Sequence, residues 1–157
     1  MKIKMLIMDV DGTLTDGKIY YTSDNMEFKA FDVKDGYAIK NILPKYNIIP
    51  VIITGRKSDI VIRRAQELGI TELYQGIVDK LPLVFELENK YHLEKEEIAY
   101  VGDDILDIEC MQYCGYSGCP IDAVNEVLQT VDFISQKQGG DGAVREFVEK
   151  IVQRNKM

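Results

Sequence analysis

The stretch MLIMDVDGTLTDG, residues 5–17, decides the fold. It contains most of an apolar run over residues 3–10 that has the length and composition of a buried β-strand. Asp9 lies near the end of the run, Asp11 lies just beyond it, and Gly12 follows with the backbone freedom that a tight turn needs. We therefore predict a first strand that delivers two carboxylates to one edge of a sheet.

Further apolar runs alternate with segments of helical period, which indicates βαβ units and a mostly parallel sheet. The run over residues 48–53 ends before Thr54, and the run over residues 98–101 ends before Asp103. Three shorter runs raise the expected number of strands to six, at residues 73–75, 116–119 and 133–135. The prediction is one α/β domain over residues 1–157, with a Rossmann-like parallel sheet flanked by helices.

Helices between these strands are predicted from caps and apolar stripes. Ser58 and Gly69 delimit one helix, and Pro82 suits the first turn of the next. The spacing of apolar residues predicts further helices over residues 37–46, 104–114 and 143–152. In the first of these, Tyr37 and Tyr46 are expected to share the apolar face.

Residues 16–31 interrupt the alternation of strands and helices. Two short β-type runs flank a Ser-Asp-Asn turn there, which is typical of a hairpin with a short loop. We predict a β-hairpin that protrudes near the carboxyl end of the first strand.

The charge of the chain limits its partners. A net charge of −7 argues against a broad nucleic-acid-binding surface, and no polybasic run indicates an anionic membrane. No apolar stretch approaches the roughly 18 residues that a membrane-spanning helix needs.

The three cysteines at residues 110–119 are odd in number, which suits reduced thiols better than disulfides. We expect a cytoplasmic protein whose anionic ligands are bound locally.

The polar residues that follow the strands should meet at one edge of the sheet. Asp9, Asp11 and Asp103 would form an oxygen-rich site without histidine or cysteine, which favours Mg²⁺ together with a substrate phosphate. Asp9 could attack phosphorus, and Asp11 could serve as general acid and then as general base. Thr54 and Lys80 would stabilise the developing negative charge. Each residue alone is more often structural, so the prediction depends on their joint order.

That order resembles a known superfamily. DVDGTLTDG at residues 9–17, TGR at residues 54–56, Lys80 and GDDILD at residues 102–107 resemble the four motifs of the haloacid dehalogenase (HAD) superfamily of phosphatases. The resemblance implies a HAD-type fold with the catalytic residues Asp9, Asp11, Thr54 and Lys80. It also implies Mg²⁺ on Asp9, the Asp11 carbonyl and Asp103, with Asp104 or Asp107 just outside the ligands.

A narrower resemblance concerns the substrate. KAFDVKDGYAIK at residues 29–40, ITGRKSDIVIRRAQELGI at residues 53–70 and GGDGAVREF at residues 139–147 are similar to 3-deoxy-D-manno-octulosonate (KDO) 8-phosphate phosphatases. This implies hydrolysis of a 2-keto-3-deoxy sugar acid phosphate in lipopolysaccharide biosynthesis. The implied substrate-binding residues are Asp11, Asp32, Val33, Lys34, Asp35, Gly36, Lys40, Gly55, Arg56, Arg64, Lys80 and Arg145. Asp32, Lys34 and Lys40 stand where the family often has Asn, Arg and Arg, and Arg145 could instead be a solvated helix residue.

The same resemblance implies a capless homotetramer. About 26 residues separate Thr54 from Lys80, and about 23 separate Asp11 from Lys34, too few for a cap domain. Family members join their hairpins into a barrel, and their tails reach neighbouring sites. The hairpin over residues 16–31 and a flexible glycine-rich tail over residues 139–157 would take these roles here. The alternative for the tail is a core helix beginning near Ala143.

Two other functions compete with this one. A nine-carbon substrate such as an N-acetylneuraminate-type nonulosonate 9-phosphate would need the same catalytic core. Arg56 favours the eight-carbon sugar, because relatives acting on the nine-carbon deaminated acid tend to have Glu after Thr-Gly. A phospho-accepting receiver domain of signalling proteins also combines acidic residues, a hydroxyl and a lysine, but its acceptor Asp ends a later strand.

Overall fold

The computed structural model describes residues 1–157. The strands are β1 Met5–Met8, β2 Tyr20–Tyr21, β3 Glu27–Phe28, β4 Ile49–Thr54, β5 Glu72–Gln75, β6 Ile98–Val101, β7 Tyr116–Cys119 and β8 Phe133–Ile134. The helices are α1 Val33–Tyr37, α2 Asp59–Leu68, α3 Leu81–Tyr91, α4 Ile108–Tyr113, α5 Asn125–Leu128 and α6 Ala143–Lys156. None of the helices combines the length and apolar character that crossing a membrane requires.

Six strands form one parallel sheet in the order β5-β4-β1-β6-β7-β8. The predicted Rossmann-like α/β fold is confirmed, and β1 lies in the interior of the sheet between β4 and β6. Because all six strands run in the same direction, their carboxyl ends meet at one edge. That edge receives the polar residues that follow β1, β4 and β6.

Side chains of successive strand residues point to opposite faces of the sheet, and each face has its own core. Leu6 and Met8 of β1 pack with residues of α2 and α6, and with Ala38 and Ile39, which follow α1. Met5 and Ile7 pack with residues of α3, α4 and α5. This three-layer arrangement explains why the strands read as continuous apolar runs, since both faces are covered.

The segment over residues 16–31 forms the predicted hairpin. β2 and β3 pair antiparallel outside the main sheet, with Tyr20 opposite Phe28 and their rings stacked at 4.7 Å. Each strand has two residues, and the large apolar side chains of Ile19, Tyr21 and Met26 are exposed. The hairpin is therefore small and carries an uncovered apolar surface.

The helix predicted over residues 37–46 is irregular. α1 is followed by a π-helical turn at Ala38–Ile42 and a 3₁₀ turn at Leu43–Tyr46. Pro44 has no N–H for the carbonyl four residues earlier and crowds it, which ends regular α-helical bonding. The expectation that Tyr37 and Tyr46 share the buried face is wrong, because both are exposed while Ile39 is buried.

The C-terminal segment is not the flexible tail that its glycines suggested. α6 contributes Val144, Phe147 and Ile151 to the core of its own chain. An ideal Cβ at Gly139 would lie 1.9 Å from the Gly12 carbonyl oxygen, so this glycine permits close backbone contact rather than mobility. The core-helix alternative therefore holds for α6, whereas contact of residues 139–157 with a neighbouring site stays a prediction.

We expect Phe147→Ala to destabilise the protein strongly. Phe147 is 1% exposed, and its ring stacks on Tyr116 and Phe133 at centroid distances of 5.2 and 5.9 Å. Truncating a buried Phe costs about 3–5 kcal/mol of unfolding free energy. Urea titration of the variant measures this loss. Phe85→Ala, at a position 40% exposed, is the control, and an equally small loss at both positions would show that α6 is not a core helix.

Candidate active site

The loop after β1 brings its two aspartates to the sheet edge. The N–H groups of Thr13, Leu14 and Thr15 all donate to the Val10 carbonyl, so the chain turns tightly around one oxygen. Gly12 has φ +90°, and an ideal Cβ there would lie 1.9 Å from Asp103 Oδ2. Only glycine therefore lets the loop approach the carboxylate that follows β6.

Three carboxylates from two strand ends converge at this edge. One oxygen each of Asp9, Asp103 and Asp107 lies within 4.8 Å of the others. Thr13 Oγ1 donates a hydrogen bond of 3.1 Å to Asp103 Oδ1. Burial raises the pKa of Asp9 to about 6, and burial with the nearby Asp9 carboxylate raises the pKa of Asp103 to about 9. A bound cation would favour the charged forms of these carboxylates and offset the cost of their burial and mutual repulsion.

Lys80 supplies a positive charge beside this cluster. Its Nζ lies 3.0 Å from Asp9 Oδ1 and 2.7 Å from Asp107 Oδ1, and its side chain is 3% exposed. Burial alone would lower the pKa of Lys80, but the Asp9 and Asp107 carboxylates raise it above its ordinary value. The ammonium group is therefore charged beside Asp9.

Asp107 is a structural centre of the site as well as a neighbour of Lys80. Its Oδ2 accepts hydrogen bonds from the backbone N–H groups of Asp103 and Asp104, at 3.0 and 3.2 Å. Its Oδ1 also accepts a 2.6 Å bond from the Tyr100 hydroxyl. Sequence reasoning missed Tyr100, although a tyrosine within an apolar strand needs a partner for its hydroxyl.

A pocket of about 220 Å³ opens over these groups. Its lining residues are Asp9, Asp11, Thr54, Gly55, Arg56, Lys80, Asp104, Leu106 and Asp107. Thr54 ends β4, next to β1 in the sheet, which explains how residues 45 positions apart in the chain meet. Asp104 is exposed, and its Oδ1 accepts from the Ile105 N–H at 2.8 Å, so it caps the following turn.

The remaining predicted substrate residues lie outside this pocket. Asp32 caps α1, Asp35 is buried and accepts from the Arg145 N–H, and Arg64 Nη2 donates to the Asp32 carbonyl. Asp32, Asp35, Gly36 and Arg64 line a separate, narrow cavity. The exposed residues of this group are Val33, Lys34 and Lys40. Arg145 Nε pairs with Glu149 on the same helix at 2.6 Å.

Asp11 has a partner that the sequence did not suggest. Lys29, just after β3, places its Nζ 2.5 Å from Asp11 Oδ1 and 3.4 Å from Glu27 Oε1. Glu27 also pairs with Arg56 at 3.2 Å. The base of the hairpin thus contacts the pocket through charged side chains.

Comparison with known proteins agrees with this geometry. Residues 57–147 match the family of haloacid dehalogenase-like hydrolases. The chain is 43% identical over 150 residues to the 3-deoxy-D-manno-octulosonate 8-phosphate phosphatase KdsC of Escherichia coli, covering 96% of this chain and 79% of that protein. This chain belongs to the haloacid dehalogenase-like hydrolases.

Two crystal structures share the fold of this hydrolase. That of 3-deoxy-D-manno-octulosonate 8-phosphate phosphatase from Yersinia pestis superposes with a TM-score of 0.94 at 41% identity, covering 98% of this chain and 83% of that one. The Moraxella catarrhalis phosphatase of the same name, in complex with magnesium ion, phosphate ion and KDO, also gives 0.94, at 42% identity and with 98% and 88% coverage. The haloacid dehalogenase-like hydrolase fold is thus shared over nearly the whole chain.

We expect Mg²⁺ to stabilise this hydrolase more strongly as pH rises. In the metal-free protein, the raised pKa values of Asp9 and Asp103 mean that the folded state holds protons that the unfolded state has lost. The contribution of these groups to stability therefore falls as pH rises between the unfolded values near 3.8 and about 9. A bound cation replaces those protons and removes the penalty.

Melting temperatures in excess Mg²⁺ and in excess chelator, compared across roughly pH 5 to 9, measure this difference. Asp103→Asn is the matched control, because it removes the most strongly shifted carboxylate and should flatten the pH dependence in chelator. A Mg²⁺-induced shift that is the same at every pH would contradict the explanation.

Proposed function

We propose that this chain is a Mg²⁺-dependent phosphatase that hydrolyses KDO 8-phosphate through an aspartyl-phosphate intermediate. The observation that carries the proposal is the convergence of Asp9, Lys80 and Thr54 on one pocket beside a cluster of carboxylates. The relatives described above are named for this activity, and the similarity to them covers 96–98% of this chain. The nonulosonate 9-phosphate alternative and the receiver-domain alternative are not favoured by these relatives.

Asp9 is the nucleophile of the proposed reaction. One of its carboxylate oxygens attacks phosphorus, and the bond between phosphorus and the sugar oxygen breaks. Asp11 donates a proton to the departing sugar oxygen, which would otherwise leave as an unstable alkoxide. In the second step water attacks phosphorus, Asp11 accepts its proton, and the bond to Asp9 breaks to release inorganic phosphate.

Lys80 and Thr54 hold the phosphoryl group during both steps. The Lys80 ammonium, 3.0 Å from Asp9 Oδ1, offsets the negative charge that a phosphate brings next to a carboxylate. Thr54, at the end of β4, offers its hydroxyl, and Gly55 and Arg56 extend the same edge of the pocket. Asp107 acts through Lys80 and through the backbone of Asp103 and Asp104, so it is a positioning residue.

The residues present fit a magnesium ion. Asp9 and Asp103 lie within the cluster of carboxylates, and the Asp11 carbonyl accepts no hydrogen bond within the chain, which leaves it available as a third ligand. Asp104 and Asp107 flank this set. When bound, Mg²⁺ would neutralise phosphate oxygens and so lower the repulsion between the substrate and Asp9.

Recognition of the sugar needs more than this pocket. Arg56 at its mouth suits the substrate carboxylate. The rest of the proposed set lies elsewhere on the chain: Asp32, Val33, Lys34, Asp35, Gly36, Lys40, Arg64 and Arg145. These residues belong to α1 and its surroundings, where exposed Val33 and Lys34 are free to approach the open pocket of a neighbouring subunit. In this proposal, residues of more than one subunit together bind the eight-carbon substrate.

A homotetramer is the proposed assembly, with residues 1–157 as one unit of each subunit. An isolated two-stranded hairpin is marginally stable, and this one exposes Ile19, Tyr21, Met26 and Phe28. Pairing with hairpins of other subunits would cover these side chains. The three free, buried cysteines suit a cytoplasmic location, where thiols stay reduced.

Turnover of sugar acid phosphates tests the proposed function. Purified protein with Mg²⁺ should release phosphate from KDO 8-phosphate faster than from nine-carbon nonulosonate 9-phosphates, and excess chelator should abolish release. Asp9→Asn should lower kcat by at least about 10³-fold, since an amide is a poor nucleophile.

Retained melting temperature in Asp9→Asn is the control that separates lost chemistry from lost folding. Faster turnover of a nine-carbon substrate would transfer the assignment to the runner-up. Activity of Asp9→Asn comparable to that of the unsubstituted protein would overturn the covalent mechanism.

The oligomeric state tests the role of the hairpin. The chain mass is 17.9 kDa, and sedimentation equilibrium should give about four times that mass for the unsubstituted protein. Tyr21→Glu combined with Met26→Glu should yield smaller species, because charge on an apolar interface is costly. Val78→Glu, also at an exposed apolar position, should leave the tetramer intact. A monomeric unsubstituted protein would contradict the assembly.

A further inference from the structure

Lys29 is withdrawn from solvent at the base of the hairpin. Its side chain is 2% exposed, although the hairpin itself lies at the surface. A lysine normally keeps its ammonium group in water, because burial of a charge is costly unless it is paired. Here the Nζ atom lies 2.5 Å from Asp11 Oδ1 and 3.4 Å from Glu27 Oε1, so two carboxylates offset the cost.

The two carboxylate oxygens of Asp11 have different surroundings because of the contact with Lys29. Oδ1 accepts from Lys29, and this is the hydrogen bond that the Asp11 side chain makes within the chain. Oδ2 has no protein partner, and Asp11 lines the pocket that contains Asp9 and Thr54. A carboxylate held by one oxygen has a restricted orientation, which keeps the other oxygen available to the pocket.

We propose that Lys29 is a positioning residue for Asp11 in proton transfer, an inference that rests on the proposed phosphatase function. Lys29 fixes Oδ1 so that Oδ2 meets the departing sugar oxygen and later the attacking water. Lys29 does not touch substrate, and the proton moves between Asp11 Oδ2 and the reacting oxygen. No member of the four motifs supplies this restraint.

Glu27 extends the same restraint toward the mouth of the pocket. Its Oε1 lies 3.4 Å from Lys29 Nζ and 3.2 Å from Arg56 Nη2, so charges alternate in sign from Asp11 through Lys29 and Glu27 to Arg56. Lys29 and Glu27 thus each lie between two groups of opposite charge. Glu27 thereby keeps Lys29 directed at Asp11 rather than at an incoming anionic substrate.

A purely structural role for Lys29 would affect all substrates alike. If the ion pair merely attached the hairpin to the loop after β1, its loss would lower stability and turnover regardless of the leaving group. A positioning role predicts selectivity, because protonation by Asp11 matters for a poorly acidic alcohol and matters little for nitrophenol.

The test compares kcat/KM for an alkyl phosphate monoester and for p-nitrophenyl phosphate, since kcat/KM reports the step in which the leaving group departs. Lys29→Met should lower the value for the alkyl ester at least about tenfold more than the value for the aryl ester. In an Asp11→Asn background, Lys29→Met should add less than about a twofold loss, because the residue it positions is already disabled. Equal losses for the two esters, or additive losses in the double variant, would overturn the proposal.

Lys18→Met is the matched control, because Lys18 is an exposed lysine of the same hairpin and should leave the ratio of the two esters unchanged. Lys29→Gln retains a donor of similar reach and should recover part of the alkyl-ester activity, and it also serves if Lys29→Met fails to fold. Partial recovery of alkyl-ester turnover in Lys29→Gln supports positioning by the hydrogen bond, whereas an equal loss for both esters contradicts it. Absence of Mg²⁺-dependent turnover in the unsubstituted protein would instead overturn the proposed function, and the inference with it.

Discussion

The rest of the site depends on how negative charge is balanced where β1 and β6 end. Asp9, Asp103 and Asp107 bring carboxylate oxygens within 4.8 Å of one another, and Lys80 contacts two of the three. Without that ammonium group, burial and repulsion from Asp107 would raise the pKa of Asp9 further and leave a poor nucleophile. The same imbalance, only partly met by Lys80, favours a divalent cation.

Several features of the backbone follow from this crowding of charge. An ideal Cβ at Gly102 would lie 2.4 Å from Asp107 Cγ, so glycine there lets the loop after β6 close around that carboxylate. The Tyr100 hydroxyl and two backbone N–H groups complete the shell of donors around Asp107. The buried Asp107 carboxylate therefore has hydrogen-bond donors for both oxygens, as a charged group in a low-dielectric site requires.

The catalytic residues and most of the residues proposed to bind the sugar lie on different elements of the fold. The catalytic residues lie at the sheet edge, whereas most of the proposed substrate-binding residues lie on α1, the turn after it, α2 and α6. Lys29 and Glu27 connect the two sets, because they belong to the hairpin segment and contact Asp11 and Arg56. An assembly formed through the hairpins would therefore influence both recognition and proton transfer.

Patterns local in sequence were sufficient to predict the six strands, the helix between Ser58 and Gly69, and the meeting of Asp9, Asp11 and Thr54 at one edge, whereas Lys80 was predicted from the joint order of the four motifs. Strand period and caps are local, and parallel strands bring their carboxyl ends together in any such sheet. The partners Lys29 and Tyr100, the separation of Asp32 and Arg64 from the pocket, and the burial of α6 were decided only by tertiary structure. These features depend on contacts between residues far apart in the chain. The sequence does not distinguish a glycine that permits motion, as was expected at Gly139, from one that permits close packing, as the structure shows there.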